Sequence, residues 1–175
     1  MTADAAAMEE LLGSHLMTNV STRKETAVAL EKGKKLIALY FSANWCPPCQ
    51  AFGPLLKQFY NSVDDLEIVY IPYDNNIKEF KKYYGGMPWL AVGFEDSAKI
   101  KSNLEKAFKI EGIPSFIVLE SATGKFVTIQ GQNGISAAAK KGGDACQKMI
   151  EKWLAIPPVP VEEANLSTGG CCLIL

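Results

Sequence analysis

Residues 36–49 read LIALYFSANWCPPC. The first six are apolar and rich in strand formers, which predicts a buried strand. A helical pattern follows over about 47–62, so Cys46 and Cys49 lie where a strand ends and a helix begins. Cysteines at this spacing can face each other across one helical turn and close a disulfide. The stretch therefore predicts a redox-active cysteine pair at the start of a helix.

The position of the pair predicts how each sulfur reacts. Free backbone N–H groups and the positive end of the helix dipole favour a thiolate at a helix N-terminus. The thiolate is the attacking species in disulfide exchange. We therefore expect Cys46 to attack a substrate disulfide and Cys49, one turn further in, to resolve the mixed disulfide. Pro47 and Pro48 suit the first helical turn, where a missing N–H costs little.

A zinc half-site is the alternative interpretation of this spacing. Tetrahedral zinc needs four ligands, usually completed by a second CxxC or a histidine pair. The chain has one histidine, His15, and no second CxxC. We therefore predict no metal site. No flavin- or nucleotide-binding glycine loop is evident, so we expect no bound cofactor, a redox-active Cys46–Cys49 disulfide, and electrons that enter from another molecule.

Composition and charge exclude several other classes of protein. The chain has 175 residues, is 48% hydrophobic and has a net charge of −1. It therefore has no excess of positive charge that would attract nucleic acid, and no nucleic-acid partner is predicted. No apolar run approaches the roughly 18 residues of a membrane-spanning helix. The N-terminus lacks a signal-peptide pattern. We therefore expect a cytoplasmic protein.

Strand and helix patterns alternate along the chain. This order predicts an α/β fold with a central mixed β-sheet flanked by helices. We expect residues 1–15 to be a flexible N-terminal segment, and the change to Pro- and Gly-containing sequence predicts a linker and tail at 157–175. Further strands are predicted at 66–71, 115–119 and 125–130, and further helices at 77–84, 100–108 and 146–154.

Motifs at three places carry a resemblance: YFSANWCPPC at 40–49, MPWLAV at 87–92 and GIPS at 112–115. Together they resemble the tryparedoxin and nucleoredoxin branch of the thioredoxin superfamily. The match spans about residues 15–155 and implies that 16–156 form a thioredoxin-like domain. It also implies that the chain is a thiol-disulfide oxidoreductase.

The resemblance implies roles around the cysteine pair. Trp45, Pro47 and Pro48 would shape the substrate surface. Pro114 would be a cis-proline that faces the pair, and the neighbouring Ile113 would help to bind substrate. Trp89 would lie near the site or belong to the core.

The resemblance also implies partners. Trypanothione, or another dithiol or a reductase, would donate electrons, and peroxiredoxin-type peroxidases or other disulfide proteins would accept them. The alternative is a nucleoredoxin-like adapter that binds signalling partners at a membrane.

The chain departs from the pattern of this branch at two positions. Asn75 stands where a second carboxylate is common, and Gln50 stands where Arg is common. Like other members, the chain has an aromatic residue, Tyr40, where thioredoxins carry a buried Asp, so proton transfer to Cys49 must use another group or water. Asp74 is a candidate for proton transfer, and a solvated loop carboxylate is the alternative reading.

We expect separate roles for the remaining cysteines. Cys146 falls on the apolar stripe of the last helix and is expected to pack in the core. Residues 172–175 read CLIL, a C-a-a-X sequence that predicts a geranylgeranyl group on Cys172, with a palmitoyl group on Cys171 as a second signal. A prenyl anchor would attach the protein to the cytosolic face of a membrane. An unmodified tail is the alternative.

Overall fold

The computed structural model describes residues 3–31, 33–164 and 166. In this part of the chain, helices cover both faces of a seven-stranded sheet. The strands are β1 His15–Asn19, β2 Thr22–Glu25, β3 Leu36–Ser42, β4 Leu66–Pro72, β5 Leu90–Val92, β6 Ser115–Glu120 and β7 Phe126–Ile129. Their order across the sheet is β2-β1-β5-β4-β3-β6-β7. The helices are α1 Ala3–Leu12, α2 Thr26–Leu30, α3 Pro47–Tyr60, α4 Ile77–Tyr84, α5 Ser97–Phe108, α6 Gln132–Lys141 and α7 Gly143–Leu154, followed by a 3₁₀ turn at Val161–Glu163.

The sheet is mixed, as predicted. Strand β3 runs parallel to β4 and antiparallel to β6, and β4 runs parallel to β5. Both β3 and β4 are buried along their whole length. Because both of their faces are covered, their sequences are nearly continuous apolar runs rather than alternating ones.

Alternate residues of the central strands form two cores. Tyr40 and Tyr70 point to the face covered by α3 and α7, where Phe59 and Trp153 pack with ring centroids 5.8 Å apart. Leu39 points to the other face, against α5. Each fully buried side chain of this size contributes about 1.5–3 kcal/mol. The two cores hold β3 rigidly, so its C-terminal end is a fixed support for the loop that follows.

Both ends that were predicted to lie outside the domain pack on it where they are described. Residues 3–12 form α1, and Met8 and Leu12 are 2% and 0% exposed. At the other end, Val159 pairs with Phe126 through two backbone hydrogen bonds of 2.9 Å, and Leu166 is 5% exposed. The expectation of a flexible segment at 1–15 is therefore corrected for residues 3–12, because α1 lays its apolar residues on the sheet.

Sequence patterns missed β1, β2, β5, α2 and α6. Strand β2 is a fully exposed edge strand with the polar sequence TRKE, and β5 has only three residues. Such short or charged elements are set by pairing with the neighbouring strand rather than by their own composition. No helix in the described ranges is long and apolar enough to cross a membrane.

Candidate active site

The cysteine pair lies at the N-terminus of α3, directly after β3. Cys46 and Cys49 form a disulfide. Cys46 is the N-cap residue, and the Cys49 backbone N–H donates to its Sγ at 3.3 Å. Cys46 is 4% exposed and Cys49 is fully buried. The backbone N–H that reaches Cys46 would stabilise its thiolate in the reduced protein, which fits the predicted order of attack.

The Ile113–Pro114 segment lies across from the nucleophile. The peptide bond between the two residues is cis, as the resemblance implied. The carbonyl oxygen of Ile113 is 4.0 Å from Cys46 Sγ. A substrate chain that approaches the sulfur would therefore meet this backbone, which supports the predicted binding role of the segment.

Trp45 and the two prolines form the exposed side of the site. The Trp45 side chain is 50% exposed, and its indole N–H donates to the Tyr73 carbonyl at 2.8 Å. Pro47 and Pro48 are also exposed. A groove of about 460 Å³ runs beside Cys46, and these residues line it together with Tyr73 and with parts of α5 and of the 110–113 segment. The groove can admit a substrate to the disulfide.

Asp74 is a buried residue and not a solvated loop carboxylate. It is 8% exposed. Its Oδ1 accepts the Asn44 backbone N–H at 2.7 Å, and its Oδ2 accepts the Tyr70 hydroxyl at 2.6 Å. Burial raises the pKa of Asp74, and these two hydrogen bonds oppose the rise. The carboxylate therefore fixes the loop before Trp45, while a role in proton transfer stays a prediction.

A cluster of hydroxyl groups lies at the end of β3. Ser42 Oγ donates to the Tyr40 hydroxyl at 2.9 Å and lies 3.0 Å from the Tyr83 hydroxyl. Burial raises the pKa of Tyr40, so it stays protonated at physiological pH. Sequence analysis identified Tyr40 but missed Ser42 and Tyr83, because Tyr83 reaches the cluster from α4 and no local pattern links the two elements.

A second contact missed from sequence joins α5 to the site. The Tyr73 hydroxyl donates to Glu105 Oε1 at 2.6 Å, and Lys101 Nζ lies 4.6 Å from the centroid of the Tyr73 ring. Glu105 is distant in sequence from the cysteine motif, and its amphipathic helix gave no signal for a site. Only the packing of α5 beside β4 brings it there.

Trp89 and Cys146 belong to the core. Trp89 is 3% exposed and packs on Tyr40 and Tyr60, with ring centroids 6.1 and 5.6 Å away. Cys146 is fully buried, which raises the pKa of its thiol. Packing is therefore the role that the structure gives to both residues.

Two further predictions concern lipidation and metal binding. Cys171 and Cys172 lie outside the described residues, so their lipidation stays a prediction. Among the described residues, no group of three or more His, Cys, Asp or Glu side chains is placed to hold a metal ion.

Comparisons with known proteins identify relatives of the chain. A family model described as thioredoxin-like matches residues 33–126. Tryparedoxin of Trypanosoma brucei brucei is 40% identical over 104 residues, which cover 58% of this chain and 72% of that protein. The solved structure of tryparedoxin II from C. fasciculata superposes with a TM-score of 0.70 at 29% identity and covers 78% of this chain and 91% of that one.

Nucleoredoxins match a longer part of the chain. The Danio rerio protein is 35% identical over 173 residues, 95% of this chain, but the match covers only 38% of that protein. The chain therefore corresponds to about a third of a nucleoredoxin and to most of a tryparedoxin. Its strand order, its cysteine pair at the start of α3 and these matches show that the chain belongs to the thioredoxin-like family of thiol oxidoreductases.

Proposed function

We propose that the chain passes reducing equivalents from a dithiol or a reductase to disulfide proteins through Cys46 and Cys49. The observation that carries this proposal is the placement of Cys46 as N-cap of α3, with a backbone N–H on its sulfur and an open groove beside it. A thiolate in this position is stabilised, and a substrate can approach its sulfur through the groove although Cys46 is itself only 4% exposed.

The reaction is a two-step exchange. In the reduced protein, the Cys46 thiolate attacks a substrate disulfide, forms a mixed disulfide and releases one substrate thiolate. Cys49 loses its proton and attacks Cys46 Sγ, which breaks the mixed disulfide and releases the second substrate thiolate. Two electrons pass to the substrate, and the Cys46–Cys49 disulfide remains. An external dithiol then reduces this disulfide by the reverse steps.

We propose a tryparedoxin-like carrier as the specific role. Trypanothione or a similar dithiol would be the donor, and peroxiredoxin-type peroxidases would be acceptors. This choice is supported by the likeness to tryparedoxins, one of which, tryparedoxin II, has been solved in complex with glutathionylspermidine. The match to T. brucei tryparedoxin at 40% identity supports it as well.

A nucleoredoxin-like adapter is the second candidate. The match to nucleoredoxin over 95% of the chain favours it, and half-exposed Trp45 offers a contact surface beside the cysteines. Cys46→Ser separates the two roles: a carrier loses turnover and mixed-disulfide complexes, whereas an adapter retains partner binding. Cys49→Ser is the matched variant, because it should trap a carrier's partner on Cys46.

The test of the carrier is the rate at which the oxidised full-length chain is reduced. Trypanothione, glutathione and a thioredoxin reductase system are compared, with free thiols of the Cys46–Cys49 pair mapped by alkylation and peptide mass analysis. We expect trypanothione to react fastest. Faster reduction by the thioredoxin reductase system would favour a nucleoredoxin-like protein over a tryparedoxin-like one. Reduction by none of the three donors would contradict the carrier role.

A further inference from the structure

We propose that the groove beside Cys46 selects disulfides that carry a positively charged group close to the sulfur, and that Glu105 and Glu111 make this selection. The inference rests on the proposed exchange at Cys46 and adds a charge preference to it. Both glutamates line the same groove of about 460 Å³ as Cys46 and Trp45.

The carboxylate of Glu105 is held in a fixed place relative to the nucleophile. Its Oε1 accepts the Tyr73 hydroxyl at 2.6 Å, and the Tyr73 carbonyl accepts the Trp45 indole N–H at 2.8 Å. Tyr73 thus joins α5 directly to the tryptophan that precedes Cys46. Because charge-assisted hydrogen bonds are short and directional, the charge of Glu105 acts from a defined position at the groove.

The side chains that line the groove leave negative charge in excess. They include Glu105 and Glu111 but no lysine or arginine. Lys101 lies nearby, with Nζ 4.6 Å from the centroid of the Tyr73 ring, and offsets part of this charge. Among residues 3–31, 33–164 and 166, the ion pairs join other residues, and none involves either glutamate.

Two side chains near the redox loop do not offset this negative charge, because Gln50 and Asn75 are both neutral. A substrate ammonium or guanidinium group in the groove would therefore meet two carboxylates at short range. A substrate carboxylate would be repelled by the same pair.

Three disulfides that each carry two methylene groups between the sulfur and the end group isolate the effect of charge. Cystamine carries an ammonium group two carbons from each sulfur, bis(2-hydroxyethyl) disulfide carries a hydroxyl, and 3,3′-dithiodipropionate carries a carboxylate. The reduced full-length chain is mixed with each, and the second-order rate of forming the Cys46–Cys49 disulfide is followed through Trp fluorescence and verified by peptide mapping. The intrinsic reactivity of each probe cancels when a variant is compared with the wild type.

The measured quantity is the ratio of the rate with cystamine to the rate with dithiodipropionate. We expect Glu111→Gln to lower this ratio about threefold to tenfold and Glu111→Lys to lower it further, from the Coulomb energy of one charge at several ångströms. Glu105→Gln should also lower it. Glu151→Gln, an exposed carboxylate on α7 away from the groove, is the matched control and should leave the ratio unchanged.

The wild-type chain alone gives an independent test, because screening by salt should lower the same ratio. If the ratio is insensitive both to salt and to the Glu111 variants while the neutral disulfide is reduced, the charge preference is overturned and the proposed function stands. If the wild type reduces none of the three disulfides, the proposed function fails, and the preference fails with it.

Discussion

Replacing Asp74 by Ala should destabilise the protein by an amount that can be worked out from its contacts. The substitution removes the acceptor of the Asn44 N–H at 2.7 Å, a hydrogen bond to a charged group that contributes about 1.5–3 kcal/mol. It also removes the 2.6 Å bond from the Tyr70 hydroxyl, which keeps the Ser42 carbonyl at 3.2 Å as a second acceptor. That loss should add about 0.5–1.5 kcal/mol.

The expected total is about 2–4.5 kcal/mol, which corresponds to a decrease in Tm of about 4–18 °C for a chain of this size. Urea unfolding followed by circular dichroism measures the free energy, and a thermal scan measures Tm. Tyr70→Phe is the matched control, because it removes only the hydroxyl side of the contact and should cost less. An Asp74→Ala variant within about 0.5 kcal/mol of the wild type would refute the inference that Asp74 anchors the redox loop.

Three other substitutions test separate parts of the structure. Burial raises the pKa of Asp74, so the folded protein holds the carboxyl proton more tightly than the unfolded chain, and the ionisation of this group lowers stability as pH rises above about 4. Asp74→Asn removes this titration, so urea unfolding from pH 4 to 7 should show the variant gaining stability relative to the wild type. A difference in stability that stays constant over this pH range would contradict the raised pKa. Tyr73→Phe removes the 2.6 Å bond to Glu105 and should cost about 1 kcal/mol in the same assay, and an unchanged unfolding midpoint would mean that this contact does not stabilise the site. Leu12→Ala removes a fully buried side chain of α1 and should cost about 2–5 kcal/mol, unless the helix is not docked on the sheet, in which case stability would not change.

Local sequence patterns predicted the elements that carry the cysteines. The apolar run of β3 and the cysteine and proline pattern of α3 are encoded within short stretches, so both elements were found. The cis-proline at 114 followed from the resemblance, and the structure confirms it.

The residues that pack around the cysteine pair from other elements could not be predicted from local sequence patterns. Asp74 is buried because the side chain of Tyr70 and the loop at Asn44 close over it, and neither contact is visible in the residues that flank it. Glu105 and Tyr83 reach the site through the packing of α5 and α4. The packing of helix α1 on the sheet was not predicted, because a short apolar stripe in a small, acidic segment resembles a flexible end.

The central claim is that Cys46 is the nucleophile and Cys49 the resolving residue. The most direct measurement is the site of the mixed disulfide formed when reduced Cys46→Ser and Cys49→Ser chains react with bis(2-hydroxyethyl) disulfide. Peptide mass mapping is needed because the chain has three further cysteines, at positions 146, 171 and 172. We predict that Cys49→Ser accumulates an adduct on Cys46 and that Cys46→Ser forms one on Cys49 at least about tenfold more slowly. Equal rates at the two positions, or a faster adduct on Cys49, would contradict the claim.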